Sequence, residues 1–166
     1  MSYQMQKQVP FILEGEEEVN MDTRIMMWIH PLIQIVATIV GFTAMYWGFR
    51  RFLTVHMKQK LVFPWRRHVL WGTIGLGLWG IGLGLGLVFA DAGWGSIMIT
   101  DIHYKVGFAV APLCITAFVT GWIMDRHKQK RTVLNVFHGL NNLLLCSLIG
   151  VQIVTGVWVI KVFLMY

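Results

Sequence analysis

Charge is scarce in this chain: 13% of its 166 residues are Asp, Glu, Lys or Arg, whereas 56% are hydrophobic. That ratio excludes a soluble domain of ordinary make-up. Cysteine is scarcer still. Cys114 and Cys146 both fall within apolar runs, where a small buried residue is the usual role, and they do not make a disulfide framework. No Cys-x-x-Cys-His occurs, which excludes covalent attachment of a c-type haem. The first 24 residues lack the apolar core of a cleavable signal peptide, so the N-terminus is expected to persist. Acids are missing from the middle of every apolar run and no run is visibly broken, which argues against a transporter. Pro112 offers one kink, not an alternating-access design.

What is present is apolar in long stretches. Runs of about 20 apolar residues, enough to cross about 30 Å of hydrocarbon, recur at roughly 25–49, 66–90, 102–124 and 133–160. They predict an all-α, integral-membrane four-helix bundle running up-down-up-down, because the loops are short enough to make neighbours antiparallel. A polar, acidic tail over 1–24 precedes this domain over 25–166. The loop after the first run carries Arg50, Arg51, Lys58, Lys60, Arg66 and Arg67, and that after the third carries Arg126, Lys128, Lys130 and Arg131. Only Asp125 opposes them, whereas Glu14, Glu16, Glu17, Glu18, Asp22, Asp91 and Asp101 lie on the other side. By the positive-inside rule both termini are expected outside the cytoplasm. Trp28 and Trp94 near one boundary, and Trp47, Trp65 and Trp122 near the other, fit interfacial belts. The net charge of +6 is therefore a topology signal first and a lipid or partner site second, with no nucleic acid expected.

Four of the six histidines are spaced like the helices. His30, His68, His103 and His138 each fall in the first two turns of a different helix, 38, 35 and 35 residues apart. In an antiparallel array His30 and His103 share one depth and His68 and His138 the other, each pair facing across the bundle from diagonal helices. Eighteen residues after them come Gly48, Gly86, Gly121 and Gly156, five helical turns on and so on the same face. The positions between are lean: Ala37, Gly41 and Ala44, then Gly72, Gly75 and Gly82, then Gly107, Cys114 and Ala117. The fourth helix is bulkier, with Asn142, Leu145, Ile149 and Gln152. A histidine gripping one flat object, and a bare backbone admitting a second, describe a bundle holding two haems with bis-histidine axial ligation. The glycines have a second reading, since Gly80-xxx-Gly84 and Gly82-xxx-Gly86 are close-packing motifs in their own right.

Axial imidazoles need an acceptor for their other ring nitrogen. Gln34 and Asn142, each one turn after a histidine, are candidates, and so are backbone carbonyls. Arg67 and Lys105 stand beside His68 and His103, placed either to pair with haem propionates or to snorkel to lipid phosphates. His56 and His127 sit among loop cations and read as solvated or headgroup-facing.

The segments IHP at 29–31, RRH at 66–68, IHYKVG at 102–107 and HGLNNLLLCSLIGVQIVTG from His138 to Gly156 resemble the four-helix dihaem core of the cytochrome b-561 superfamily and of ferric-reductase-like transmembrane cytochromes. The resemblance covers about residues 25–160, and its most family-like motif is His138 followed by Gln152 and Gly156. It implies two non-covalent b-type haems, one per membrane side, passing single electrons across the bilayer. His30 and His103 would ligate the outer haem, His68 and His138 the inner. The extra helices of six-helix members and a convincing ascorbate-binding pattern are both missing. The expected function is thus the cytochrome b subunit of a larger oxidoreductase in a bacterial plasma membrane, linking a quinone pool to a redox partner on the outer side. Residues 14–19, EGEEEV, read first as a solvated tail and second as a patch that steers a lysine-rich redox partner; a further guess places a quinone near His127 with Arg126 or Arg67. Two rival readings are a stand-alone transmembrane reductase of ferric iron or a small molecule, and a haem-free scaffold whose helices pack by glycine.

Overall fold

The structure is a computed structural model that describes residues 21–129 and 131–165. Four long helices dominate it: α1 (Ile29–His56), α2 (Trp65–Trp94), α3 (Ile102–Arg126) and α4 (Val133–Val159). A short helix, Met21–Met27, leads into α1, and a π-helical turn, Ile160–Leu164, ends α4. The acidic cluster at 14–18, with its expected role in steering a partner, and Lys130 lie outside the described residues.

Each of the four spans is long and apolar enough to cross a membrane. Their outward faces carry large apolar side chains, with Ile39 64% exposed and Val154 72%. Apolar surface on this scale is stable against lipid tails and not against water. The chain is built as an integral membrane protein.

Two helices outrun their apolar windows. α1 continues through Arg50 and Arg51 to His56, since long cationic side chains reach toward water from a helix end without breaking it, and the chain turns at Lys58, where φ is 54°. Pro64 precedes α2, where its missing N–H leaves no bond unmade. α2 takes Asp91 to Trp94 from the expected loop and closes on Gly95 at φ 66°, a left-handed conformation that glycine adopts without Cβ strain. The link to α3 is therefore 95–101, shorter than the 91–101 that composition suggests.

The helices pair as two antiparallel hairpins. His30 meets Gly82 and Gly86, Gly41 meets Gly75 and Trp79, and Gly48 meets His68, so numbers rise along α1 as they fall along α2. In the second hairpin His103 meets Thr155 and Gly156, Gly107 meets Gln152, and Thr120 meets His138. Contacts of α2 with α3 and of α1 with α4 join the hairpins into a four-sided bundle, with α1 and α3 on one diagonal and α2 and α4 on the other.

Small residues set how closely the hairpin helices approach. A Cβ added at Gly75 would lie 3.1 Å from the Gly41 backbone, so α1 and α2 touch main chain to main chain there. The Trp79 indole lies over Gly41 and shares a buried cluster with Ala37, Val110, Cys114, Ala117, Leu145 and Ile149. On α4 it is Asn141, not Asn142, that is buried, and its side-chain amide donates to the Leu113 carbonyl at 3.0 Å. Among the described residues a Cβ at Gly80 or Gly84 would meet nothing within 4 Å, so this pair does not pack a helix of its own chain. Gly75→Val is accordingly expected to destabilise the bundle by about 1–3 kcal/mol through overpacking. Gly80→Ala should be neutral or stabilising by up to about 1 kcal/mol. Thermal unfolding in detergent distinguishes the two.

Candidate functional site

Each long helix carries one histidine in its first two turns, and the hairpins decide where those side chains go. His30 and His103 meet where α1 and α3 begin, their ring centroids 6.3 Å apart and their planes at 89°. His68 and His138 meet at the opposite end, also 6.3 Å apart, with planes at 80°. Each pair joins diagonal helices and so bridges one hairpin to the other. The fourteen residues from His30 to Ala44, whose carbonyl is bonded to His68, set the pairs about 21 Å apart along the bundle. The structure brings together the same residues that the spacing pairs.

In all four rings Nδ1 is engaged. His30 Nδ1 donates to the Gly82 carbonyl at 2.6 Å, and His68 Nδ1 to the Ala44 carbonyl at 2.9 Å. A carbonyl only accepts, so the proton sits on Nδ1. His103 Nδ1 meets the Thr155 hydroxyl at 2.9 Å, and His138 Nδ1 meets the Thr120 hydroxyl at 2.8 Å. Those hydroxyls direct their own protons one turn back, Thr155 to the Val151 carbonyl at 3.0 Å and Thr120 to the Thr116 carbonyl at 2.6 Å. They are left to accept from Nδ1–H. The four neutral imidazoles therefore share one tautomer, with the Nε2 lone pair free to act as a ligand.

Gln34 and Asn142 do not supply these acceptors. Gln34 Nε2 reaches the Trp79 carbonyl at 3.5 Å, and Asn142 Nδ2 donates to the His138 backbone carbonyl at 2.7 Å. The first hairpin uses backbone carbonyls, and the second uses threonines that the sequence reading passes over. Their signal is a repeat, Val119-Thr120-Gly121 and Val154-Thr155-Gly156, which sets a hydroxyl seventeen residues after His103 and again after His138.

The glycines find their partners across each hairpin. A Cβ at Gly86 would lie 2.8 Å from His30 Cε1 and Nδ1, and one at Gly48 would lie 3.2 Å from His68 Cε1. At Gly156 it would lie 3.2 Å from His103 Cε1, and at Gly121 3.4 Å from His138 Cε1. Each imidazole rests on the glycine of its antiparallel neighbour, reciprocally within both hairpins. The room left by the missing side chain is taken by that ring, as Gln34 takes the room at Gly82.

The flanking cations stand apart from the rings. Lys105 pairs with Asp101 one turn earlier, and Arg67 is exposed on the first turn of α2. His56 packs on Phe52 with ring centroids 4.9 Å apart, and His127 follows α3 in extended conformation.

Among the described residues no group of three or more His, Cys, Asp or Glu side chains gathers. A bare ion such as zinc takes about four ligands, mostly from protein. A site of two histidines suits a metal that brings its other ligands with it, which is the donor set of a bis-histidine haem. The spacing fits as well. Two metal bonds of about 2.0–2.1 Å, the zinc value, would set the ligating nitrogens about 4 Å apart. Both observed pairs stand at 6.3 Å between ring centroids, which would allow this with their Nε2 atoms turned toward each other. No family model, curated protein or solved structure matches this chain.

Proposed function

We propose that this chain is a transmembrane dihaem cytochrome b, the electron-conducting subunit of a larger membrane oxidoreductase. The observation that carries the reading is the repeated histidine gap: two cross-bundle pairs at the same 6.3 Å separation, with all four Nδ1 atoms bonded and their Nε2 atoms without a hydrogen-bond partner among the described residues. His30 and His103 would hold one b-type haem, and His68 and His138 the second. Haem when bound supplies one-electron chemistry at iron. The chain supplies position: the Nδ1 bonds fix each ring's rotation and raise the basicity of Nε2. Were each haem held by two histidines, oxygen would find no open site on it. Between the pairs, Trp79, Leu145 and Ile149 fill the bundle and exclude water.

The basic loops lie at the His68–His138 end, so the positive-inside rule favours that end as the cytoplasmic one; the setting proposed is a bacterial plasma membrane with both termini outside. The partners proposed are a quinone pool and a redox protein on the outer side, each able to exchange single electrons with a haem near its face of the membrane. A quinone near His127 and Arg126 is part of this reading, and quinol oxidation unchanged in His127→Ala would remove that position. Purified from its native membrane, the protein should carry haem and bring partner subunits with it, and in vesicles holding a trapped reductant it should pass electrons to an artificial dye outside; no transfer to the dye would contradict the proposal. Competent ferric reduction by the lone chain would replace the subunit reading with that of a stand-alone reductase.

The threonines give a finer test. Thr120→Val removes the acceptor of His138 Nδ1, so the His68–His138 site should retain haem about tenfold less tightly. Its midpoint potential should rise, because a less basic imidazole favours ferric iron less. Thr155→Val should do the same at the other site alone. A redox titration that resolves both sites checks the assignment.

A further inference from the structure

We propose that the basic end of the bundle contains a site for one acidic phospholipid, where the end of α1, the α3–α4 turn and the start of α4 converge. A cleft of about 450 Å³ is lined there by Arg51, His127, Lys128, Arg131, Thr132 and Asn135. Beside it an open apolar slot of about 510 Å³ is lined by Val133, Leu134 and Phe137, together with Arg131 and Thr132. Arg131 and Thr132 belong to both. An occupant spanning them has an anionic head and an apolar tail, joined at that point.

The charge in the cleft is one-sided. Arg51, Lys128 and Arg131 are permanent cations, and the adjacent carboxylate, Asp125, is already bonded to Lys128 at 2.7 Å. A neutral quinone head would leave the two guanidinium groups uncompensated. Free phosphate would leave Val133, 83% exposed, and Phe137, 52% exposed, uncovered. A phosphodiester carrying acyl chains meets both demands. The forked donors of Arg51 and Arg131 suit phosphate oxygens, Thr132 and Asn135 add neutral donors, and the chains lie along Val133 and Phe137. Basic pockets between helices at a membrane boundary are a recognised physical setting for such headgroups. The site does not depend on haem at the histidine pairs, but His127 lines it, so it competes with the quinone position proposed above: a quinone held there would overturn the phospholipid proposal and leave the haem reading standing.

The test uses the full chain, delipidated in detergent and offered equal amounts of phosphatidylglycerol and phosphatidylcholine, with retained lipid counted by native mass spectrometry. One phosphatidylglycerol per chain should be kept, with a preference of about tenfold or more. The preference should fall to near parity in the Arg51→Gln/Arg131→Gln variant and survive in Arg51→Lys/Arg131→Lys. Arg24→Gln, in the short helix that leads into α1, should keep it. Phe137→Ser should weaken retention of phosphatidylglycerol, and glycerol phosphate, a head without tails, should not displace it. Equal retention of both lipids by the wild type would overturn the proposal. So would undiminished preference in the double glutamine variant, or displacement by a neutral isoprenoid quinone. Arg51 is exposed and Arg131 half-buried, both outside the packed core, and circular dichroism verifies that the variants are helical.

Discussion

Replacing His68 with alanine is expected to lower the haem carried by the chain from two per polypeptide to one, and to abolish electron transfer between the two faces of a vesicle. His138 would then stand alone at its end of the bundle, with no second imidazole across the 6.3 Å gap. The other pair stands about 21 Å away on separate helical turns, so its spectrum should be unchanged. Folding should survive. The substitution leaves the half-buried contact at the Ala44 carbonyl without its donor, which costs about 1–3 kcal/mol in a bundle whose close approach is made elsewhere, at Gly41 and Gly75. Haem content and the reduced-minus-oxidised spectrum read the result. An unchanged spectrum would show that His68 is not a ligand and would return the histidines to helix packing.

The second large effect crosses a hairpin. Gly86→Ala, on α2, should disable the site of His30 and His103 on α1 and α3 while sparing that of His68, which shares its own helix. The new methyl carbon would lie 2.8 Å from His30 Cε1 and Nδ1, too close for the ring to stay. The ring cannot tilt away and keep its 2.6 Å bond to the Gly82 carbonyl. Loss of that bond releases both tautomer and rotation, and losing the partner of a metal-binding imidazole's other nitrogen typically costs 10–100-fold in metal affinity. Gly121→Ala is the matched control. Its methyl carbon would meet His138 Cε1 at 3.4 Å, an ordinary contact, and its haem should be retained. Equal behaviour of the two variants, measured as haem per polypeptide and by resolving the two sites spectroscopically, would contradict the reciprocal glycine–histidine arrangement.

The histidine pairs are legible in the sequence for a simple reason. One histidine near the start of each antiparallel helix has its depth determined by the direction of that helix, whatever the rotation. Contacts that depend on rotation and register are not legible in the same way. The recurrence of glycine eighteen residues after each histidine is visible, but its partner is not, because whether a Cβ at Gly86 meets His30 depends on how α1 and α2 slide along each other. Asn141 and Asn142 differ by about 100° around a helix; spacing from His138 singles out Asn142, whereas packing against α3 buries Asn141. Trp79 looks out of place on a glycine-rich helix until Gly41 is seen beneath it. Thr120 and Thr155 lie one residue before two of the singled-out glycines, yet hydroxyls facing inward on a helix usually bond their own backbone. These do so, and accept from an imidazole as well.

The ends of the helices follow from side-chain chemistry more than from hydropathy. Arg50 and Arg51 fall outside any apolar window, yet α1 carries them and runs on to His56. The same basic stretch builds the cleft around Arg51 and Arg131, so the residues that signal topology also shape the end of the bundle.

The most direct test of the account is the haem content of the purified, unaltered chain, taken with its reduced-minus-oxidised spectrum. Two non-covalent b-type haems per polypeptide, both low-spin, are expected. A well-folded helical sample that binds none would contradict the dihaem reading, and would leave the four imidazoles resting on four glycines as a device for packing membrane helices.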